Sequence, residues 1–330
     1  MKLNVLYACD DNYAPYAGVS ICSLLENNKE IDEITIYVVS ENISNNNITL
    51  LHKQVEKYGN KRELKIVDGQ QFSKQLELYD KIRYRGSFAT YYRIFVEMII
   101  DNDVERLLYL DCDTLIVGDL RSLLLLNFNN KTIAVVLIPT GEKNVITELN
   151  NKPYFNAGVI LYNILSWKKN NYTAKLIDSL KNERVNYSDV DQAWLNKMLT
   201  NDFIVLPLKY NMGPHGLVYN YKTLFKCYPS KFFYTTDEFE DARKNPVILH
   251  TLRFLGQFPW HKNSLHPSKK TFDEYLKKSE WNGLEKTKNV GFLFSLERII
   301  YLITPKWLFL RLFSLFEKVY LKHRGAKLLE

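Results

Sequence analysis

Over the first 140 residues of this chain, short apolar runs alternate with longer amphipathic ones, and few folds accommodate such a pattern. Residues 3–9, 34–39, 64–67, 107–110 and 133–138 are short and predominantly apolar, as strands buried on both faces require. Between them, residues 16–27, 48–58 and 88–100 carry helical spacing. The alternation predicts an α/β fold with a mainly parallel central sheet flanked by helices. Residues 155–162 add a strand, and residues 166–180 and 191–199 add helices. Residues 207–246, rich in Tyr, Phe, Gly and Pro with weak periodicity, read as a long functional loop region. Ligands of parallel sheets sit beyond the carboxyl ends of the strands, so the residues just after each apolar run are the candidates for chemistry.

The 330 residues carry a formal charge of +7, unevenly placed. Nine of the 44 Lys and Arg residues and three of the 37 acids fall within residues 286–330, leaving 35 cations and 34 acids for the rest. A near-neutral body excludes a nucleic-acid binder that tracks phosphates along a basic groove. An apolar content of 46% with 25% charged residues excludes wholesale disorder. The opening residues read as a buried strand, not as a signal peptide. On that reading the Asn-x-Ser/Thr triplets at Asn42 and Asn171 carry no weight, and the four cysteines, without metal spacing, are reduced thiols.

Four short segments could carry chemistry. The first is Arg106-Leu-Leu-Tyr-Leu-Asp111-Cys112-Asp113, where two carboxylates flank one residue at a strand end. If the extended form continues, both point the same way and can bind a hard cation such as Mn²⁺ or Mg²⁺ through oxygen; otherwise they are solvated acids in a turn. The second is Ala8-Cys9-Asp10-Asp11-Asn12-Tyr13 after the first strand, either a nucleoside contact or a helix-capping turn before Pro15. The third is Phe155-Asn156-Ala157-Gly158, where glycine permits close backbone approach. The fourth is Asp191-Gln192-Ala-Trp-Leu-Asn196, which alone reads as a helix start.

In order and spacing these segments, with Tyr92-Arg93 and a closing His250…Gly256…Pro259-Trp260-His261, resemble the retaining glycosyltransferases of family 8. That family includes bacterial lipopolysaccharide galactosyl- and glucosyltransferases and glycogenin. The resemblance spans about residues 3–262 and implies a nucleotide-sugar-binding domain of the GT-A type. It implies that Ala8, Asp10, Asn12 and Tyr13 hold uridine, and that Asp111 and Asp113 ligate Mn²⁺ or Mg²⁺ with His250 as third ligand. Arg93, Asn156, Asp191 and Gln192 would surround the donor sugar, with Gln192 near the reacting carbon. Cys112, Arg253, Gly256 and Trp260 would complete the nucleotide site. A Gly-rich loop after the first strand is missing, which counts against a nucleotidyltransferase.

The closing segment departs from the family pattern of His-x-x-Gly followed, after two residues, by Lys-Pro-Trp or Arg-Pro-Trp. Here Gly256 lies six residues after His250, and Phe258 stands where a basic residue is expected. Aligning on Gly256 sets Arg253 at the third-ligand position; aligning on the strand before it keeps His250.

The implied activity is transfer of galactose or glucose from a UDP-hexose to a hydroxyl of a lipid-linked capsule or lipopolysaccharide-type glycan, forming an α-linkage. The altered segment keeps open a catalytically silent UDP-sugar- or glycan-binding subunit. Residues 1–275 would form the transferase domain, and residues 276–330 a basic amphipathic segment. On a wheel from Lys306, Leu308, Phe309, Leu312, Phe313, Leu315, Phe316, Val319 and Tyr320 fall in one arc of roughly 160°. Lys306, Arg311, Lys318, Lys322 and Arg324 lie opposite, with Glu317. That pattern fits a helix lying on an anionic membrane surface, placing the enzyme in the cytoplasm on the inner face of the plasma membrane. The bland alternative is a helix packed on the domain.

Overall fold

The computed structural model describes residues 1–81, 83–139, 152–183, 190–287 and 292–316. Its strands are β1 (Lys2–Asp10), β2 (Glu33–Glu41), β3 (Arg62–Asp68), β4 (Arg106–Leu110), β5 (Thr114–Ile116), β6 (Ile133–Leu137), β7 (Phe155–Asn163), β8 (Phe203–Val205) and β9 (Ile248–His250). Seven of them form one sheet in the order β3-β2-β1-β4-β7-β6-β8. Pairing is parallel throughout except at β7, which runs antiparallel to both β4 and β6. The seven core positions Leu3–Cys9 of β1 are buried on both faces, as an interior parallel strand requires.

Strand order reverses beside β1, whose neighbours are β2 on one side and β4 on the other. The carboxyl ends of β1 and β4 therefore open a crevice at this switch point, the place where open α/β sheets bind ligands. Because β7 is antiparallel to β4, its amino end reaches the same crevice, and the Asp111 N–H donates to Gly158 O at 2.8 Å. The register of β6 against β7 jumps from Val135↔Ile160 to Val136↔Asn156. This irregularity turns residues 156–158 towards the crevice. The small sheet β5-β9 sets Thr114 opposite His250, bringing a distant segment beside Asp113.

Several elements differ from their expected form. Residues 88–100 form a 3₁₀ turn, Ala89–Ile94, and a short helix, Val96–Ile99, in place of one helix. Residues 166–180 divide into Ile164–Lys169 and Tyr172–Asn182, because Asn171 adopts a left-handed φ of 53°. The loop expected at 207–246 is largely helical, with Leu208–Tyr210, Pro214–Val218, Tyr221–Cys227 and Thr236–Lys244. Segments of one or two turns are too short to show a period, which is why the sequence read as irregular.

The packed body continues beyond residue 275. The Trp281 ring fills a notch at Gly18, where a Cβ would lie 1.8 Å from it, and its Nε1–H donates to Asn47 at 3.1 Å. Beyond it come helix Phe292–Ile303 and helical residues 306–316, separated at Pro305. The expected apolar arc is divided: Phe309 is buried on the body, while Leu312, Leu315 and Phe316 are exposed. Outside the arc, Leu310 is buried and Trp307 exposed. Glu317, Lys318, Val319, Tyr320, Lys322 and Arg324 lie outside the described residues.

Candidate active site

The crevice holds a cavity of about 340 Å³ bounded by β1, β4, the turn after β4, β9 and two tight loops. Asp111 and Asp113 do not share a strand face. β4 ends at Leu110, and the Thr114 N–H donates to Asp111 O at 3.1 Å, closing a turn through the two aspartates. Their carboxylates converge all the same, because His250 stands between them: its Nε2 is 3.2 Å from Asp113 Oδ1 and 3.6 Å from Asp111 Oδ2. One donor atom from each of the three lies within 4.8 Å of the other two. His250 thus occupies the third corner, while Arg253 lines the cavity elsewhere.

This donor set fits a divalent cation. His250 Nδ1 is engaged with Asn211 Oδ1 at 2.9 Å, which orients Nε2 towards the carboxylates. Gly158 leaves the space the triad needs; a Cβ there would sit 2.2 Å from His250 Cε1 and 2.6 Å from Asp111 Oδ2. Burial opposes a charged imidazole, yet Asp113 and then Asp111 outweigh it and raise the His250 pKa. The two carboxylates draw a positive charge into the centre of the triad, where a metal would stand.

Arg93 organises the sheet-side wall of the cavity. Fully buried, it pairs with Asp111 and with Asp191, each at 2.9 Å, donates to Ala157 O, and lies 4.4 Å from the centre of the Tyr109 ring. Tyr109 O–H also donates to Asp111 Oδ1 at 2.9 Å. Asp191 is therefore behind Arg93, not at the cavity surface, and burial pushes its carboxyl up against the pull of Arg93. Gln192 Oε1 accepts from Asn156 Nδ2 at 3.1 Å and from the Ala157 N–H at 3.0 Å. Asn156 Oδ1 in turn accepts from Asn211 Nδ2 at 2.9 Å. One chain of hydrogen bonds thus runs from Gln192 through Asn156 and Asn211 to His250.

At the other end, Ala8, Asp10, Tyr13 and Cys112 line the cavity, and Cys112 Sγ–H donates to Ala8 O at 3.4 Å. Asp10 Oδ1 accepts from the Tyr13 N–H at 3.0 Å. Asn12 is exposed and does not line the cavity, although its Nδ2 reaches Asp10 at 3.4 Å. Trp260 lies outside as well, stacked between Tyr16 at 3.9 Å and Phe258 at 4.4 Å. Gly256 turns away from the cavity; at φ 69° its missing side chain makes room for the Phe294 ring. It does not line the cavity and packs against the tail.

Arg85, Tyr84, Ser87, Thr90, Tyr109 and Asn211 were not read as site residues. Arg85 tops a tight turn with left-handed φ values at Arg85 and Gly86, and donates to Tyr13 O–H at 2.9 Å. Its guanidinium and that of Arg253 lie 5.4 and 5.3 Å from the Phe258 ring centre. Burial, and then the Arg85 charge, lower the Arg253 pKa. Neither arginine pairs with a carboxylate among the described residues. The Arg-Gly dipeptide at 85–86 is a turn signal that could have drawn attention to Arg85; nothing local marks Asn211.

A crevice at the switch point, a carboxylate–histidine triad and an adjoining pair of arginines define a glycosyltransferase of the GT-A type. The chain belongs to Glycosyl transferase family 8, whose model matches residues 4–264. It is 29% identical over 284 residues to General stress protein A of Bacillus subtilis, covering 85% of this chain and 95% of that one. It is also 29% identical to Lipopolysaccharide 1,2-glucosyltransferase of Escherichia coli, covering 87% and 81%. With Lipopolysaccharide 1,3-galactosyltransferase of Salmonella typhimurium it shares 27%, covering 85% and 80%. The galactosyltransferase LgtC, solved with donor and acceptor sugar analogs, superposes with a TM-score of 0.67 at 22% identity, covering 85% of this chain and 99% of that one.

Proposed function

We propose that the protein is a metal-dependent retaining transferase that moves galactose or glucose from a UDP-hexose to a hydroxyl of a lipid-linked surface glycan of lipopolysaccharide or capsule type. The observation that carries this reading is the Asp111–Asp113–His250 triad, set in a cavity also lined by Ala8, Asp10, Tyr13 and Arg93. The two named lipopolysaccharide enzymes among its relatives support the substrate class.

Mn²⁺ or Mg²⁺ held by Asp111, Asp113 and His250 would neutralise charge on the departing diphosphate. Arg253 and Arg85 supply the cations that Phe258 cannot, as donors to diphosphate oxygens. Arg93, with Asn156 beside it, faces the donor sugar, and Asp191 keeps Arg93 in place. Gln192 is a weak nucleophile, and its amide oxygen already accepts two hydrogen bonds. A front-face route fits this better: the anomeric C–O bond breaks towards UDP, and the acceptor oxygen attacks the same face, passing its proton to the departing phosphate. The α-configuration is kept.

The acceptor would meet the enzyme at a membrane. No described helix is long and apolar enough to cross one. The exposed Ile299, Leu302, Ile303, Trp307, Leu315 and Phe316 offer a surface that could lie on the cytoplasmic leaflet, as a peripheral protein does.

Release of UDP from UDP-galactose and UDP-glucose, with and without Mn²⁺ and with a membrane-lipid extract as acceptor, tests the assignment. Turnover with one donor, lost on chelation, is expected. Tight UDP binding with no turnover of any donor would favour a silent sugar-nucleotide-binding subunit.

A further inference from the structure

Away from the cavity, a groove of about 750 Å³ runs between helix Tyr221–Cys227 and helical residues 306–316. Lys222 and Lys226 stand one turn apart on the first helix and so share a face. Arg311 rises from the opposite wall, above the buried Ser314. No acidic side chain lines the groove, and none of the three cations has a carboxylate partner among the described residues. Three like charges around one concavity repel one another, and an anion seated there relieves that repulsion.

The groove opens onto apolar surface. Trp307 and Leu315, about two turns apart on one face, line it and are 57% and 52% exposed. A small free anion would use the cations and leave these apolar groups in water. A ligand with a phosphate and attached acyl chains satisfies both parts, with the indole at the boundary between them. We propose that this groove seats the phosphate of an anionic membrane lipid headgroup, with the chains directed along the Trp307–Leu315 face. The inference rests on the membrane-surface reading above and adds a discrete site to it, where that reading needs only diffuse attraction.

Trp307 gives a direct readout. The other four tryptophans, Trp167, Trp194, Trp260 and Trp281, are buried, so a blue shift of intrinsic fluorescence reports Trp307. The full-length protein is titrated with phosphatidylcholine vesicles with and without phosphatidylglycerol. A Lys222→Gln/Lys226→Gln variant is compared with a control pair on exposed lysines elsewhere, Lys74→Gln/Lys169→Gln. The expected result is a saturable shift on phosphatidylglycerol vesicles that weakens at least about tenfold in the groove variant and about twofold or less in the control. UDP release from the donor without vesicles stays unchanged in both variants, which shows that they fold. Equal losses in both pairs, or equal binding to neutral vesicles, would overturn the headgroup site while leaving membrane association standing. No binding of the wild type to any vesicle would remove the membrane reading and the site together. A lipid-free dimer that Leu315→Glu dissociates would assign this face to a second copy and overturn the lipid.

Discussion

The two walls of the cavity are built by different physics. On the sheet side, Asp111 and Arg93 line it, backed by the hydrogen-bond chain through Asn156, and each of the three is held by several hydrogen bonds or ion pairs of 2.9–3.1 Å. On the loop side, Arg85 and Arg253 are held mainly by ring faces, and Phe258, Trp260 and Tyr16 form a stacked column beneath them. The sheet wall has its charges already paired. The loop wall presents positive charge that no carboxylate among the described residues pairs, over a stack of rings. The first wall suits chemistry that needs fixed geometry, and the second suits capture of a flexible anion.

The comparison can be broken most severely at the triad. Asp113→Ala should abolish metal-dependent donor binding and lower turnover by at least about 100-fold; donor affinity measured by calorimetry with and without Mn²⁺ checks this, and unchanged affinity would remove the metal assignment. Gly158→Ala comes next. Its Cβ would meet His250 and Asp111, so metal affinity should fall by about 10- to 100-fold while a Tm without metal changes less. Asn211→Ala should cost about tenfold in metal affinity, because it frees the His250 ring to turn.

The loop wall should respond more mildly and differently. Arg253→Ala and Arg85→Ala should each raise KM for the UDP-hexose by about tenfold with a smaller change in kcat. Lysine at either position should restore part of the loss. If either alanine variant lowers kcat with KM unchanged, the division between the walls fails.

An effect on stability alone concerns the loop's support. His266 Nε2–H donates to Leu252 O at 2.9 Å, and its Nδ1 accepts from the Ser268 N–H at 3.1 Å. Burial lowers its pKa to about 4 from an ordinary 6.5. The unfolded chain therefore takes up a proton that the folded one refuses. Stability from this group is complete above pH 6.5 and is lost as pH falls towards 4, by up to about 3 kcal/mol. Urea unfolding at pH 7.5 and pH 5 should show the decline, and His266→Asn should reduce it by about half, because burial also lowers the His215 pKa to about 4.

Much of the site was legible because its residues lie in short contiguous segments at strand ends. Ala8–Asp10, Asp111–Asp113 and Asn156–Gly158 each follow or begin an apolar run, and the run itself announces where the crevice lies. Asn12 and Trp260 carried the pattern of a site without lining it, since a residue's place in a motif does not settle which way its side chain points. Gly256 matched the motif too, but its space is taken by Phe294, more than thirty residues later in the chain. Arg85 and Asn211 carry no local signal, because neither belongs to a periodic element. Their partners are distant in the chain, Tyr13 at 72 residues and His250 at 39 among them.

By itself the sequence determined the α/β class, the positions of six of the seven strands of the main sheet and the acids at their ends, because backbone periodicity and burial are local constraints that each segment expresses alone. Only the tertiary structure decided between His250 and Arg253 at the triad's third corner. It also divided the tail between faces buried on the body and faces left exposed. Both outcomes depend on which distant segments pair, β5 with β9 and helical residues 306–316 with the body, and a long-range contact leaves no period in the chain for a reader to find.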